Sequence, residues 1–206
     1  MLDSVIFLEK IITDPPAVKI YSRLGFKKKV TSLSDSRQEE TNRHIEEAAS
    51  IIRLQGSFLR LPISNNNGQD IALGEQMIFN SKKLSIFLRG CREGVLLGAT
   101  AGNPIMEAIR EKTNRGDLTA AVVYDATASE MTDAALDWIM AYINGQLRRE
   151  GKQLLPRRFS AGYADFALGN QKIIYEKLQL AKLGVTLTPS FILLPEKSVT
   201  AISGII

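Results

Sequence analysis

The chain has one cysteine and one histidine in 206 residues, and each scarcity closes off a class of chemistry. Cys91 alone can form neither an intramolecular disulfide nor a cysteine-based zinc or iron–sulfur site, so a reducing cytosol is the expected home. It ends the stretch Leu88-Arg89-Gly90-Cys91 and reads as a half-buried small residue. His44 lies among Arg43, Glu46 and Glu47 in a charged helical pattern. A surface or capping role is expected for it, which in effect removes the usual base of acid–base catalysis. No run of eighteen apolar residues is present, nor a basic start followed by a long apolar stretch. The expected protein is therefore soluble, unexported and cytoplasmic, with no membrane partner. Its 26 basic and 22 acidic residues are interspersed, so the net charge of +4 makes a mildly basic surface and not a nucleic-acid footprint. Such a surface would attract an acidic partner weakly. Repeats of 20–50 residues and low-complexity linkers are missing as well.

What is present suffices for one sizeable core, or for two small lobes that share an interface, since 45% of the residues are hydrophobic. Residues 1–53 read as an N-terminal helical segment and 54–206 as an α+β core, together expected to form one compact unit. Asp14-Pro15-Pro16 breaks any early helix, and Lys27-Lys28-Lys29 is short enough to be ordinary surface. From Ser36 to about Leu54 the pattern is helical, with Ser36 and Glu39 at capping-box spacing and Ile45, Ala48, Ala49 and Ile52 on one face. Phe58 to Ile63 reads as a strand leading into the Asn65-Asn66-Asn67-Gly68 turn, with Gln69 to Leu73 as its hairpin partner.

A short helix over Ser81–Leu88 precedes an apolar strand, Gly94 to Gly102. Asn103 as N-cap and Pro104 at the first helical position then predict a helix to Thr113. Leu118 to Tyr124 reads as a second apolar strand. Thr127 and Glu130, again at capping-box spacing, predict a helix to Glu150 that buries Ala135, Trp138, Tyr142 and Leu147 and stops at Gly151. The tail holds a helix from about Asn170 to Leu183 and strands at Val185–Leu187 and Ser190–Leu194. Mixed strands, hairpins and helices indicate an α+β or irregular α/β class.

Two segments could carry chemistry. In Gly98-Ala99-Thr100-Ala101-Gly102, glycines at a strand-to-helix turn let a backbone approach a ligand, although a plain structural turn has the same composition. It matches neither the dinucleotide fingerprint nor the phosphate loop. In Arg158-Phe159-Ser160-Ala161-Gly162-Tyr163, a fixed cation, a glycine and an aromatic ring lie within six residues. Arginine can pair bidentately with a carboxylate, glycine exposes backbone donors and acceptors, and tyrosine offers a flat face with a polar end.

The second segment resembles the Arg-x-x-Pro-Gly-Tyr signature of the S-adenosylmethionine-binding reactivation domain of cobalamin-dependent methionine synthase. The order of features after it is also similar. A helix is followed by Gly184-Val185-Thr186-Leu187-Thr188-Pro189-Ser190-Phe191 and by Pro195-Glu196-Lys197-Ser198-Val199-Thr200-Ala201, which resemble the family's Leu-Thr-Glu-Ser and Pro-x-x-Ser-Val segments. Leu88-Arg89-Gly90-Cys91 with the Gly98–Gly102 turn looks like the pattern of shorter, free-standing relatives. The resemblance runs from about Leu88 to Ile205 and is thin before Arg53.

The resemblance implies a single α+β domain with a mixed, largely antiparallel twisted sheet flanked by helices. It implies an S-adenosylmethionine site at Arg158, Ser160, Gly162 and Tyr163, with Tyr163 also facing the corrin. A family acid that meets the ligand's amino group matches Asp133, where the full-length synthases have Glu, one methylene longer. Asp137 beside it could equally belong with Asp133 to a solvated helix face. Ala161 replaces the family's proline and removes a φ restraint. The family's N-terminal ligand-contacting Asp has no placed counterpart.

The implied role is a free-standing accessory protein without catalytic side chains or metal of its own. It would support reductive methylation of the cobalamin held by a separate methionine synthase or corrinoid methyltransferase chain, with flavodoxin as a candidate electron donor. The alternative is a regulatory or interaction module that kept the fold and lost the ligand. A small-molecule methyltransferase is disfavoured, because its glycine-rich first loop and downstream ribose-binding acid are not evident.

Overall fold

The computed structural model describes residues 4–27 and 34–206. Its centre is a six-stranded antiparallel sheet made from β1 (Ile6–Leu8), β2 (Gln55–Asn66), β3 (Asp70–Leu73), β4 (Met77–Asn80), β5 (Glu93–Thr100) and β8 (Ser198–Ile205). The order is β4-β3-β2-β5-β8, with β1 paired on β2 beside Gly56–Phe58. β5 lies inside the sheet, between β2 and β8. It pairs with β2 from Gln55↔Thr100 to Pro62↔Glu93 and with β8 from Glu93↔Ile205 to Thr100↔Ser198, and every residue in it is buried.

Side chains alternate across these strands and feed two cores. Phe58, Val95, Leu97, Ala99 and Ala201 face one core, where α2 (Asp35–Ile51), α4 (Asn103–Asn114) and α5 (Leu118–Leu147) pack. Leu59, Leu61, Leu96 and Ile202 face the other. That second core is closed by β3, β4, α3 (Lys82–Phe87) and the C-terminal region containing α6 (Gln171–Lys177) and the two-stranded sheet β6 (Thr186–Leu187) with β7 (Leu193–Leu194). α1 (Ala17–Arg23) is anchored by Ile20, which is fully buried against Ile45, Val123 and Ala126.

The expected class holds, and so do the Phe58–Ile63 strand, its hairpin, the Gly94 strand and the helix after it. The segment Leu118–Tyr124 differs, because it is the first two turns of α5 and not a strand. Asp117 caps it by accepting a hydrogen bond from the Ala120 N–H at 3.3 Å. Ala120, Val123, Tyr124 and Thr127 are buried while Leu118 and Val122 are exposed, a helical spacing that outweighs the local preference of Val122-Val123 for strands. Thr127 therefore lies mid-helix, its hydroxyl donating to the Val123 carbonyl at 2.7 Å, and Glu130 pairs with Arg23 instead of completing a capping box. Gly151 does end the helix, after a 3-10 turn over Arg148–Glu150, in the left-handed conformation that glycine tolerates.

Other boundaries moved. The cap of α2 is Ser34, without a side-chain hydrogen bond, so Ser36 and Glu39 form no capping box. Gly102 takes the capping place given to Asn103, because its φ of +80° is open to glycine. Tyr142 is 40% exposed, stacks on the half-buried Trp138 and stands edge-on to Phe58, so the pair borders the first core instead of lying within it. The helix after Asn170 breaks at Gln179, and a 3-10 turn over Leu180–Leu183 follows. His44 is buried, not superficial, with Nδ1 3.2 Å from a Glu47 oxygen and its ring against Tyr124. Lys28 and Lys29 lie outside the described residues.

Candidate functional site

A 30-residue α5 spans about 45 Å and carries one polar stripe, because residues four apart share a helix face. Asp125, Ser129, Asp133 and Asp137 form it, and cations from three distant segments cover it. Lys197, just before β8, reaches Asp125 at 2.7 Å and Ser129 at 2.9 Å. Arg158 bridges Asp133 (Nη2 to Oδ1, 3.2 Å) and Asp137 (Nη1 to Oδ1). Lys19 of α1 takes the second oxygen of Asp137 at 3.2 Å. One turn away, Arg23 holds Glu130 at 2.6 Å.

Arg158 is placed by the sheet. Phe159 and Ile202 of β8 exchange backbone hydrogen bonds of 2.8 and 2.7 Å, and the Ser203 hydroxyl donates to the Arg157 carbonyl at 3.0 Å. Three-quarters of the Arg158 side chain is buried, whereas Asp133 and Asp137 are about half exposed. Burial alone would raise the Asp137 pKa. Hydrogen bonding and attraction from Arg158 and then Lys19 outweigh it and hold the carboxyl below its ordinary range.

Beyond Arg158 the chain turns tightly. Gly162 adopts a φ of +85° and donates to the Phe166 carbonyl at 2.7 Å, while the Tyr163 N–H donates to the Ser160 carbonyl at 3.2 Å. Phe166 is fully buried, edge-on to Phe79, and anchors the turn in the second core. Asp165 ties it to the start of α3, accepting from the Ser81 hydroxyl at 2.6 Å and from the Lys83 N–H at 3.2 Å, and the Ser81 bond holds its carboxyl below the usual range. Tyr163 is left 69% exposed, its ring edge-on to Phe159.

Ser160 and Ala161 form one wall of a 220 Å³ pocket whose other walls include Gln171, Phe191, Glu196 and Thr200. Glu196 also lines a neighbouring 370 Å³ pocket with Asn103, Arg110 and Thr186. The second alone falls within the volume of small-ligand sites, about 300–1,000 Å³.

Arg158 and Asp133 are thus brought together as a pair, Ser160 lines a pocket, Gly162 makes the turn and Tyr163 stands exposed beside it. Sequence reasoning missed Lys19, Lys197 and Asp165. The four-residue spacing from Asp125 to Asp137 was a usable signal for the stripe, but nothing local marks which cations cover it. Of the Gly98–Gly102 segment, Gly98 to Thr100 belong to β5, and a Cβ on Gly102 would sit 3.3 Å from the Arg53 carbonyl oxygen. Among the described residues no group of three or more His, Cys, Asp or Glu could hold a metal ion, and no helix is long and apolar enough to cross a membrane.

A crystal structure of the MetH reactivation domain bound to AdoHcy superposes on this chain with a TM-score of 0.72, covering 98% of this chain and 78% of that one. The chain has the fold of that domain. Identity between the two is 14%, so the likeness is one of architecture: the curled antiparallel sheet and its flanking helices. No protein-family model matches the chain, and neither does any curated protein.

Proposed function

We propose that this protein binds S-adenosylmethionine at Asp133, Arg158, Ser160, Gly162 and Tyr163 and supports reductive methylation of cobalamin carried by a partner methionine synthase or other corrinoid methyltransferase chain. One observation carries the reading. On a fold shared with a domain seen bound to AdoHcy, the arginine of the signature turn and the acid of the long helix meet at 3.2 Å, and Ser160, two residues after that arginine, lines a pocket.

The residues present fit an amino-acid ligand. A guanidinium suits its carboxylate, a carboxylate suits its ammonium, and the exposed Gly162 turn offers backbone groups. When bound, S-adenosylmethionine would supply an activated methyl group, while the electron would come from a flavodoxin-type donor and the cobalamin from the partner. In this reading the chain's own side chains position the ligand and exclude water. Exposed Tyr163, standing on Phe159, is suited to cover a flat cofactor ring presented by the partner.

A second reading has its own support. Arg158 already has two carboxylate partners within the chain, as a module that no longer binds the ligand would. Calorimetric titration with S-adenosylmethionine separates the two. Saturable one-site binding that Arg158→Ala weakens supports the first reading, and no heat at millimolar ligand supports the second.

A further inference from the structure

We infer that Lys19 and Asp137 complete a head-group site for a zwitterionic α-amino acid, in which α1 forms a wall. The inference rests on the S-adenosylmethionine reading and deepens it, since it names a ligand-binding residue in the N-terminal third.

The quartet Lys19, Asp137, Arg158 and Asp133 contains two cations and two anions in one chain of contacts. It is electroneutral as it stands. A ligand with a single charge would leave one member without a partner, whereas a zwitterion can insert by exchanging partners with no net change of charge. The valences support this. Arg158 commits Nη1 and Nη2 to the two aspartates, and no bond of its Nε or of Asp133 Oδ2 is recorded among the described residues. A spare donor and a spare acceptor therefore remain on the Arg158–Asp133 pair, ready for a carboxylate and an ammonium. Lys19 ends on Asp137 Oδ2 and is its only cation besides Arg158 among the described residues, which makes it the second group able to receive a ligand carboxylate.

The position of Lys19 is not accidental to a mobile arm. Its neighbour Ile20 is fully buried against α2 and α5, so the Lys19 backbone is fixed over the stripe while its ammonium stays about half exposed and free to change partner. Pro16 is the N-cap of α1, and the Ala17 N–H donates to the Pro15 carbonyl at 2.8 Å.

The test is calorimetry on the full chain with S-adenosylmethionine and with decarboxylated S-adenosylmethionine, which keeps the amine and lacks the carboxylate. Lys19→Ala is expected to weaken S-adenosylmethionine roughly fivefold, the scale of an exposed charge contact, and to leave the decarboxylated ligand unchanged. Lys19→Gln, which keeps most of the stem, should behave like Lys19→Ala. Asp137→Asn should weaken both ligands, because both carry the amine. Arg23→Ala, on the same helix but paired with Glu130, should change neither. Equal weakening of both ligands by Lys19→Ala, or weakening of neither while the unmodified chain binds, would overturn the inference and leave the proposed function standing. Failure of the unmodified chain to bind either ligand would overturn both.

Discussion

Replacing Arg158 by alanine separates ligand binding from folding. In the free protein the guanidinium holds two half-exposed carboxylates, and partly exposed pairs are worth about 0–1 kcal/mol. Its loss leaves Asp133 and Asp137 facing each other at i,i+4, a repulsion of about 0.2–0.5 kcal/mol that Lys19 still offsets in part. The two pairs and the repulsion together come to about 2.5 kcal/mol at most, so the melting temperature should fall by no more than about 10 °C in a chain of this size. Binding should suffer as well. A charge-assisted contact to a ligand carboxylate is worth about 1.5–3 kcal/mol, and because the ligand must first displace the aspartates the lower end applies, roughly a ten- to thirtyfold rise in Kd. Arg157→Ala is the control, since its backbone carbonyl is held by Ser203 and its side chain is exposed. Calorimetry at two salt concentrations with a melting curve for each variant would read both quantities. Equal losses of affinity in the two variants would refute the reasoning, because a diffuse field and not a directed contact would then be at work.

Three further outcomes follow from the same geometry. Arg60 and Glu93 are both almost buried and pair across β2 and β5, with Glu150 and Lys152 completing the network, so Arg60→Ala should cost about 3 kcal/mol in denaturant unfolding. Because Arg60 holds the Glu93 carboxyl below its ordinary pKa and Glu150 down at about 2, their stabilisation is full above the unfolded carboxylate range near pH 4.5 and is lost as pH falls towards 2. The acid limb of a stability profile should accordingly flatten in Arg60→Ala, and an unchanged limb would contradict the assignment. Gly56→Ala should destabilise by about 1–3 kcal/mol, since a Cβ there would lie 2.6 Å from Ile139 Cδ1 and 2.7 Å from the Gly98 carbonyl oxygen, which belongs to β5. Tyr163→Ala should leave the melting temperature within about 2 °C and most of the S-adenosylmethionine affinity intact, because the ring is exposed. It should slow flavodoxin-driven reactivation of a partner's cobalamin, read from the absorbance spectrum, and a wild-type rate would remove the case for a corrin-facing ring.

Where the sequence was legible, local pattern and tertiary structure agreed. β5 could be read because its apolar run is buried on both faces, and α4 because Pro104 and a glycine turn mark its start. The first turns of α5 were misread because Leu118-Thr119-Ala120-Ala121-Val122-Val123-Tyr124 is as apolar and β-branched as a strand, and only packing against α2 and α4 selects the helix. β8 escaped notice as a strand because Ser198-Val199-Thr200-Ala201-Ile202-Ser203-Gly204-Ile205 is built from small residues, which is what a strand closely covered on both sides requires. The Arg158–Tyr163 segment was marked by its cation, glycine and aromatic ring, whereas the roles of its residues and the choice of Asp133 came from the family resemblance and not from any local rule. Lys19 lies 118 residues from Asp137, so no spacing rule could have joined them.

The site and the core are set by the same helix register. Asp133 and Asp137 alternate along α5 with Ala135, Leu136 and Ile139, all fully buried, and the Ile139 Cδ1 methyl occupies the space that a side chain at Gly56 of β2 would take. Arg158 is fixed independently, through the bridge between Phe159 and β8. The distance between the arginine and its acids is therefore the distance between a helix seated on one sheet face and a loop tied to the strand two positions across the sheet, β8 being separated from β2 by β5. A side chain at Gly56 would meet the Ile139 Cδ1 methyl at 2.6 Å and the Gly98 carbonyl oxygen at 2.7 Å, so it would push on the helix that carries both aspartates, while Arg158 is held through β8. Affinity for an amino-acid head group should then fall along with stability in Gly56→Ala, although Gly56 touches no residue of the site, and a variant that loses stability while keeping its affinity would show that the loop follows the helix.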